Sequence, residues 1–262
     1  MEQMRLLDRI AIVTGADSGI GQATAIAFAE EGADVVITYL HDAAGAEFTR
    51  LEVEARGRRG LAIRVDQRDP AAVSRLFAET RGQFGVPTIL VNNAGIAMEG
   101  EPVKDMSIED WDNVIRTNLY GPFYCCQQFI RLLEQGRDRP HATIINITSV
   151  QEEIAYPGSA AYDSAKGGLR NLTRTLALEL AEDDINVVNI APGMVLTPMN
   201  KEALENPQVR AEQVQYIPVK RAAEPWEIAQ AAVYVASRAG WYVHGTSLFI
   251  DGGLTRNVGQ IP

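Results

Sequence analysis

Three residues of this chain combine side-chain types and spacing that can do chemistry: Ser149, Tyr162 and Lys166. In the run ITSVQEEIAYPGSAAYDSAK the serine stands thirteen residues before the tyrosine, and the lysine follows the tyrosine by four. Positions four apart share a helix face, so Tyr162 and Lys166 present a phenol and an ammonium side by side. A phenol titrates at about 10 and is a poor base at neutral pH, but a fixed neighbouring cation stabilises the phenolate and lowers that value. Tyr162 can then exchange a proton with an alcohol or carbonyl oxygen. Ser149, arriving from a strand end, can donate a hydrogen bond to the same oxygen. A Tyr-Lys pair by itself also suits the solvated side of an amphipathic helix, so the rest of the chain decides.

Those side chains need a scaffold that brings strand ends and a helix face together. The segment RIAIVTGADSGIGQATAIAFAEEGADVVITYL reads as strand, glycine turn, helix and strand, with β-branched runs at Ile10–Thr14 and Val35–Thr38. Gly15, Gly19 and Gly21 follow the strand and open the helix, spaced G-x-x-x-G-x-G rather than the commoner G-x-G-x-x-G. Glycines there let the backbone approach a pyrophosphate at the positive end of a helix, although tight turns use them too. The alternation continues with a helix from about Ala43, a strand Leu61–Val65, a helix capped by Asp69 and opened by Pro70, and a strand Thr88–Val91. This order implies a parallel sheet covered on both faces.

Asp66 and Asn92-Asn93-Ala94-Gly95 then fall at carboxyl ends of strands, where such folds bind ligands; turn chemistry is the plainer use of the same residues. A long helix follows, with Ser107 and Asp110 as a capping box, and with Asn118 inside it beside Gly121 and Pro122, as at a kink or an end. Strand Thr143–Ile147 delivers Ser149, and helix Ala160–Leu180 carries Tyr162, Lys166 and a leucine stripe. Strand Asn186–Ile190 runs into Pro192-Gly193-Met194-Val195-Leu196-Thr197. The partly helical segment Pro198–Pro218 is placed to cover a substrate. Pro225 opens one more helix, and Ser247–Ile250 is the last strand.

At 262 residues, 46% hydrophobic and 22% charged, the chain suits one large domain over 1–262. The net charge of −10 argues against nucleic acid or an anionic membrane as partner. Cys125 and Cys126 are adjacent in an apolar helical stretch, which suits buried thiols and a reducing cytoplasm. The opening MEQMRLLDR has no signal-peptide core, and there is no run of apolar residues of membrane-spanning length. His41, His141 and His244 are scattered, so no metal site is expected.

Taken together, TGADSGIG at Thr14–Gly21, Asp66, NNAG at Asn92–Gly95, Ser149 with Tyr162 and Lys166, and Pro192-Gly193 with Thr197 resemble the short-chain dehydrogenase/reductase family over nearly the whole chain. The resemblance implies an α/β, Rossmann-type doubly wound seven-stranded parallel sheet in the order 3-2-1-4-5-6-7, with helices on both faces and a bound NAD or NADP. It implies a tetrad of Asn118, Ser149, Tyr162 and Lys166, in which Asn118 holds a water near Lys166 and Lys166 also binds the nicotinamide ribose. Cofactor contacts are implied at Gly15, Asp17, Ser18 and Ile20 on the glycine turn, at Tyr39, and at Asp66 and Gln67 near the adenine. Further contacts are implied at Asn93, Ala94 and Gly95, and at Pro192, Gly193, Val195 and Thr197 around the carboxamide. Such enzymes are often homotetramers. Tyr39 stands where an acid would repel a 2′-phosphate and Leu40 where an arginine would anchor one, so tolerance of both cofactors is expected.

The runs SVQEEIAYP, PGMVLTPMN and DGGLTRNVGQ look like the bacterial glucose 1-dehydrogenase branch and related sugar or polyol dehydrogenases, with Gln151 where that branch often has histidine. On this reading Glu99, Gln151 and Glu152 accept hydrogen bonds from sugar hydroxyls, with a solvated rim as the alternative. A 3-oxoacyl or other carbonyl reductase is a second reading; the negative charge disfavours an acidic carrier protein, although Arg56, Arg58 and Arg59 are locally basic. Small ketones or steroids would find Met98, Met194, Met199 and Tyr216 as a pocket lining. A non-catalytic cofactor-binding regulator would have no need of the proton-transfer residues.

Overall fold

The computed structural model describes residues 4–97, 100–135 and 141–257. Seven parallel strands form one sheet: β1 Ile10–Val13, β2 Asp34–Tyr39, β3 Gly60–Arg64, β4 Ile89–Asn92, β5 Ala142–Ile147, β6 Ile185–Pro192 and β7 Ser247–Ile250. They lie in the order β3-β2-β1-β4-β5-β6-β7. The reversal between β1 and β4 opens the crevice at their carboxyl ends where doubly wound sheets bind ligands. Strands β4, β5 and β6 are buried along their whole length, as near-continuous apolar runs must be when helices cover both faces.

The helices are α1 Gly19–Glu30, α2 Ala43–Ala55, α3 Pro70–Gln83, α4 Ile108–Ile115, α5 Gly121–Glu134, α6 Ala160–Leu180, α7 Lys201–Glu205, α8 Pro207–Gln213 and α9 Pro225–Ala236. Phe28 of α1, Val53 of α2 and Ile228 and Val233 of α9 pack on one face of the sheet. Phe77 of α3, Phe129 of α5 and Leu176 of α6 pack on the other. Asp69 caps α3 through the Ala71 N–H with Pro70 as first residue, as the sequence predicts, because proline has no N–H to leave unsatisfied there. The long helix predicted around Asn118 is three pieces, since a π turn over Arg116–Tyr120 separates α4 from α5. The segment after Pro198 folds as the short helices α7 and α8.

A buried polar chain crosses the sheet just below its carboxyl edge. Asn92 donates to Asn146 (2.8 Å), Asn146 to Thr173 (2.8 Å), Thr173 to Asn189 (2.5 Å) and Asn189 to Ser247 (3.1 Å). The same register aligns Asn92, Asn146, Asn189 and Ser247 on adjacent strands. A register slip would leave these groups buried without partners, so the chain fixes how far each strand end projects into the crevice.

At the opposite edge His141 stacks on Trp241 at 3.9 Å and meets Asp184 at 2.9 Å. Burial, the larger effect, pulls the imidazole below its ordinary 6.5, and Asp184 opposes it. The fold therefore holds the neutral ring, and the unfolded chain binds the extra proton. His141 thus contributes a stability that is full above 6.5 and declines as the pH falls below it. Melting temperatures measured from about pH 8 to about pH 5 should show that decline, and His141→Gln should flatten it; an equal slope in the variant would refute the assignment.

Candidate active site

The glycine turn after β1 and the loop after β4 are welded together. The Thr14 hydroxyl accepts from the N–H groups of Asn93 and Ala94, both at 3.0 Å. In return the Asn93 amide donates to the carbonyls of Thr14 and Gly15, both at 2.9 Å. Gly15 has φ +59°, and a Cβ on it would stand 2.8 Å from the Ala94 backbone. A Cβ on Gly21 would stand 2.3 Å from the Gly15 carbonyl and 2.4 Å from the Asn93 amide. The result is a half-buried helix start at Ser18, whose side chain makes no capping bond, on the lining of the crevice. An uncapped first turn with glycines and a positive helix end fits a diphosphate.

Gln67 and Asn118 tie this loop to the π turn. The Gln67 amide donates to the carbonyls of Ala94 (3.1 Å) and Thr117 (2.7 Å). Asn118 is fully buried and clamps Ile96 through both ends of its amide, accepting from its N–H at 2.9 Å and donating to its carbonyl at 2.8 Å. Its side chain is therefore spent on the loop, so any water held for Lys166 would have to use its backbone. The sequence marked both residues for the site but showed neither clamp. No local pattern announces them, because Gln67 lies 27 residues from Ala94 and 50 from Thr117.

Beyond these loops lies one cavity of about 970 Å³. That is at the upper end of the range for small-molecule sites and leaves room for more than one ligand. Gly15, Asp17, Ser18, Ile20, Tyr39, Asp66 and Gln67 line it, as do Asn93, Ala94, Gly95, Pro192, Gly193, Val195 and Thr197. Ser149, Gln151, Tyr162 and Lys166 line the same cavity. The Lys166 ammonium is buried, donates to the Ile147 carbonyl at 2.8 Å and lies 5.4 Å from the centre of the Tyr162 ring. Burial pulls Lys166 down to about 8, and the charge of Glu152 pushes the other way.

Some expected placements change. Glu152 does not line the cavity: its carboxyl is fully buried behind the wall, because the 3-10 turn over Val150–Glu152 sends it against α6. This corrects its expected role as a substrate contact. Glu99 lies outside the described residues. Asp66 is held by Arg68 through bonds of 2.9 and 2.7 Å, and that guanidinium, its first cause, keeps the carboxyl below the usual range. The cavity also gains Arg68, Asp42, Ile96, Tyr156, Pro157, Ile217 and Leu254, which the sequence did not single out. Tyr156-Pro157, lying between Ser149 and Tyr162, was the one legible signal among them.

Comparison with known proteins agrees with this geometry. A family profile described as Enoyl-(Acyl carrier protein) reductase matches residues 15–255. The chain is 40% identical over 251 residues to 3beta-hydroxysteroid dehydrogenase 1 of Eggerthella lenta, covering 95% of each chain. It is 34% identical over 257 residues to glucose 1-dehydrogenase 2 of Bacillus subtilis, covering 98% of each. Among solved structures it resembles acetoin dehydrogenase from Enterobacter cloacae with a TM-score of 0.87 at 37% identity, covering 98% of this chain and 99% of that one. The chain belongs to the short-chain dehydrogenase/reductase family. It is an oxidoreductase that uses NAD or NADP to interconvert an alcohol and a carbonyl.

The welded turn carries a direct prediction. Gly21→Ala must displace the Gly15 carbonyl or the Asn93 amide, so dinucleotide affinity, read by quenching of tryptophan fluorescence, should fall at least about tenfold. Unchanged affinity in a folded variant would contradict the weld.

Proposed function

We propose that the protein interconverts the alcohol and ketone forms of a molecule with a bulky apolar body, using Tyr162 as acid and base and preferring NAD. The observation that carries the substrate class is an apolar part of the cavity lining. Ile96, Val150, Tyr156, Pro157, Met194, Met199, Ile217 and Leu254 form it, with Gln151, Ser159, Gln213 and Tyr216 as its polar points. None of these described residues is charged, and an apolar wall with a few neutral polar groups suits an apolar ligand held in one orientation. Similarity to a protein named 3beta-hydroxysteroid dehydrogenase 1 supports the same class.

The glycine turn would hold the diphosphate, Tyr39 and Asp66 the adenosine, and the loops at Asn93–Gly95 and Pro192–Thr197 the nicotinamide. When bound, the cofactor supplies or accepts the hydride at the substrate carbon. Tyr162 gives the substrate oxygen its proton in reduction and takes it back in oxidation. Ser149 donates a second hydrogen bond to that oxygen, and the Lys166 ammonium favours the phenolate when Tyr162 has lost its proton. Asn118 keeps the Ile96 loop in place beside them.

Preference for NAD goes beyond the tolerance expected from Tyr39 and Leu40. Asp17 and Asp42 stand together at the adenosine end; burial foremost, and then Asp42, raise the Asp17 carboxyl. A 2′-phosphate would add negative charge beside both, while Arg68 is already held by Asp66 and Asn113. We also infer a homotetramer in the cytoplasm. Exposed Tyr120, Phe123, Leu178 and Trp226 offer apolar surface for assembly, and Cys125 and Cys126 are free thiols.

A sugar or polyol is the second reading, favoured by Gln151 on the wall and by similarity to glucose 1-dehydrogenase 2. An acidic carrier protein is disfavoured further, because Arg56, Arg58 and Arg59 face Glu30, Glu52, Asp8 and Asp34.

Three outcomes check this reading. Assayed at the reduced-nicotinamide band, kcat/KM should be higher for hydroxysteroids and other bulky secondary alcohols than for aldoses and polyols; the reverse order restores the sugar reading. Tyr162→Phe should lower kcat by about 100-fold or more with dinucleotide affinity nearly unchanged, and retained turnover would refute its role. By calorimetry NAD should bind at least about tenfold more tightly than NADP, with Asp17→Asn narrowing the ratio; equal affinities in the wild type would refute the preference.

A further inference from the structure

Glu152 is a buried carboxyl that the proposed chemistry does not touch. Its side chain has no solvent exposure, and neither oxygen has a hydrogen-bond partner. The nearest cation is Arg170, whose Nε stands 3.8 Å from Oε1. Arg170 is also anchored elsewhere: it donates to the Glu152 backbone carbonyl at 3.1 Å and pairs with the exposed carboxylate of Glu153. Arg170 lies one helical turn after Lys166, so α6 presents two cations toward the turn that follows Ser149. A carboxyl buried without hydrogen bonds costs stability and persists where a charge compensates it.

We propose that Glu152 is a positioning residue, an anion behind the cavity wall that holds the Lys166 ammonium charged in its dry site and so sets the pH range in which Tyr162 works as an acid. The inference rests on the role of Tyr162 and Lys166 proposed above. The elements packed on α6 carry several other charged groups: Glu153 on the same turn, Arg116 on the π turn, Glu109, Asp110 and Asp112 on α4, and Glu182 and Asp183 beyond its C-terminal end. Strands β5 and β6 bring none. Glu152 stands apart from them as the carboxyl buried against α6, 3.8 Å from an arginine one turn beyond Lys166, and its charge opposes the burial that draws the ammonium toward neutrality. Arg170 remains bonded to Glu153 and to the backbone when the Glu152 charge is removed, so a neutral isostere retains most of the local structure.

In reduction the competent pair is the Tyr162 phenol with the Lys166 ammonium. Loss of the Glu152 charge lowers the proton affinity of Lys166, so the alkaline fall of kcat/KM moves to lower pH.

The chain has four lysines, Lys104, Lys166, Lys201 and Lys220, so ε-carbon-labelled apoenzyme gives few NMR signals, and Lys166→Met assigns the one of interest. In the wild type Lys166 should titrate at about 8. In Glu152→Gln, and in Glu152→Met should the glutamine variant not fold, its midpoint should drop by about one unit or more, and the alkaline limb of reduction should follow. Glu152→Asp, which keeps the charge, should restore most of the shift, and Glu153→Gln should produce none. A Lys166 midpoint that is the same in wild type and Glu152→Gln, or a loss of rate at every pH with no movement of the limb, would overturn the proposal and leave Glu152 a packing residue. The NMR titration needs neither cofactor nor turnover. A shifted Lys166 together with an active Tyr162→Phe would therefore refute the acid/base reading while the Glu152–Lys166 coupling stands.

Discussion

An ammonium removed from water needs fixed partners, and the site is organised around how Lys166 obtains them. Its Nζ donates to the carbonyl of Ile147, the last residue of β5, which ties α6 to the strand end that delivers Ser149. Tyr162 sits one turn earlier on the same helix, so this hydrogen bond helps to place the phenol and the cation relative to the sheet. The strand end is itself held in register by the Asn92–Asn146–Thr173–Asn189 chain, in which Thr173 comes from α6. The helix is thus joined to the sheet by two polar contacts about two turns apart, in a region otherwise packed with apolar side chains. Such contacts specify one geometry where apolar packing alone would accept several.

The crevice divides by chemistry. Part of its lining is the glycine turn and the first turn of α1, which has no side-chain cap and suits a phosphate. Elsewhere methionines, tyrosines and aliphatic side chains form a neutral lining. Ser149, Tyr162 and Lys166, the groups proposed for proton transfer, line the same cavity. On the proposed roles, a division of this kind would let one fold serve relatives named for steroids, glucose and acetoin, with the cofactor and proton-transfer groups kept while the apolar lining changes.

Much of this was legible in the sequence, and the failures share a cause. Helix Ala160–Leu180 and strand Ser247–Ile250 have the bounds expected of them, because their patterns are long or sharply punctuated. Other strands shift by one or two residues: β2 begins at Asp34 because that residue pairs with Ile10, a partner no local pattern reveals. The disturbance at Asn118 was visible, but a π turn and a helix end look alike until Gln67 is seen packed against Gly121. Glu152 was misplaced for the same reason. The resemblance to sugar dehydrogenases suggested the cavity, whereas the 3-10 turn brings Gln151 there and buries Glu152 against α6. Residue types and order identify the chemistry; long-range contacts decide which polar side chains face the ligand.

The most direct test is a crystal structure of the protein with NAD and a bulky ketone bound. The account predicts the dinucleotide along the glycine turn, its nicotinamide beside Lys166, and the ketone oxygen within hydrogen-bond reach of both Tyr162 and Ser149, with the ketone's apolar body against Met194, Met199 and Leu254. A carbonyl oxygen away from Tyr162, or a dinucleotide seated outside the glycine turn, would contradict it.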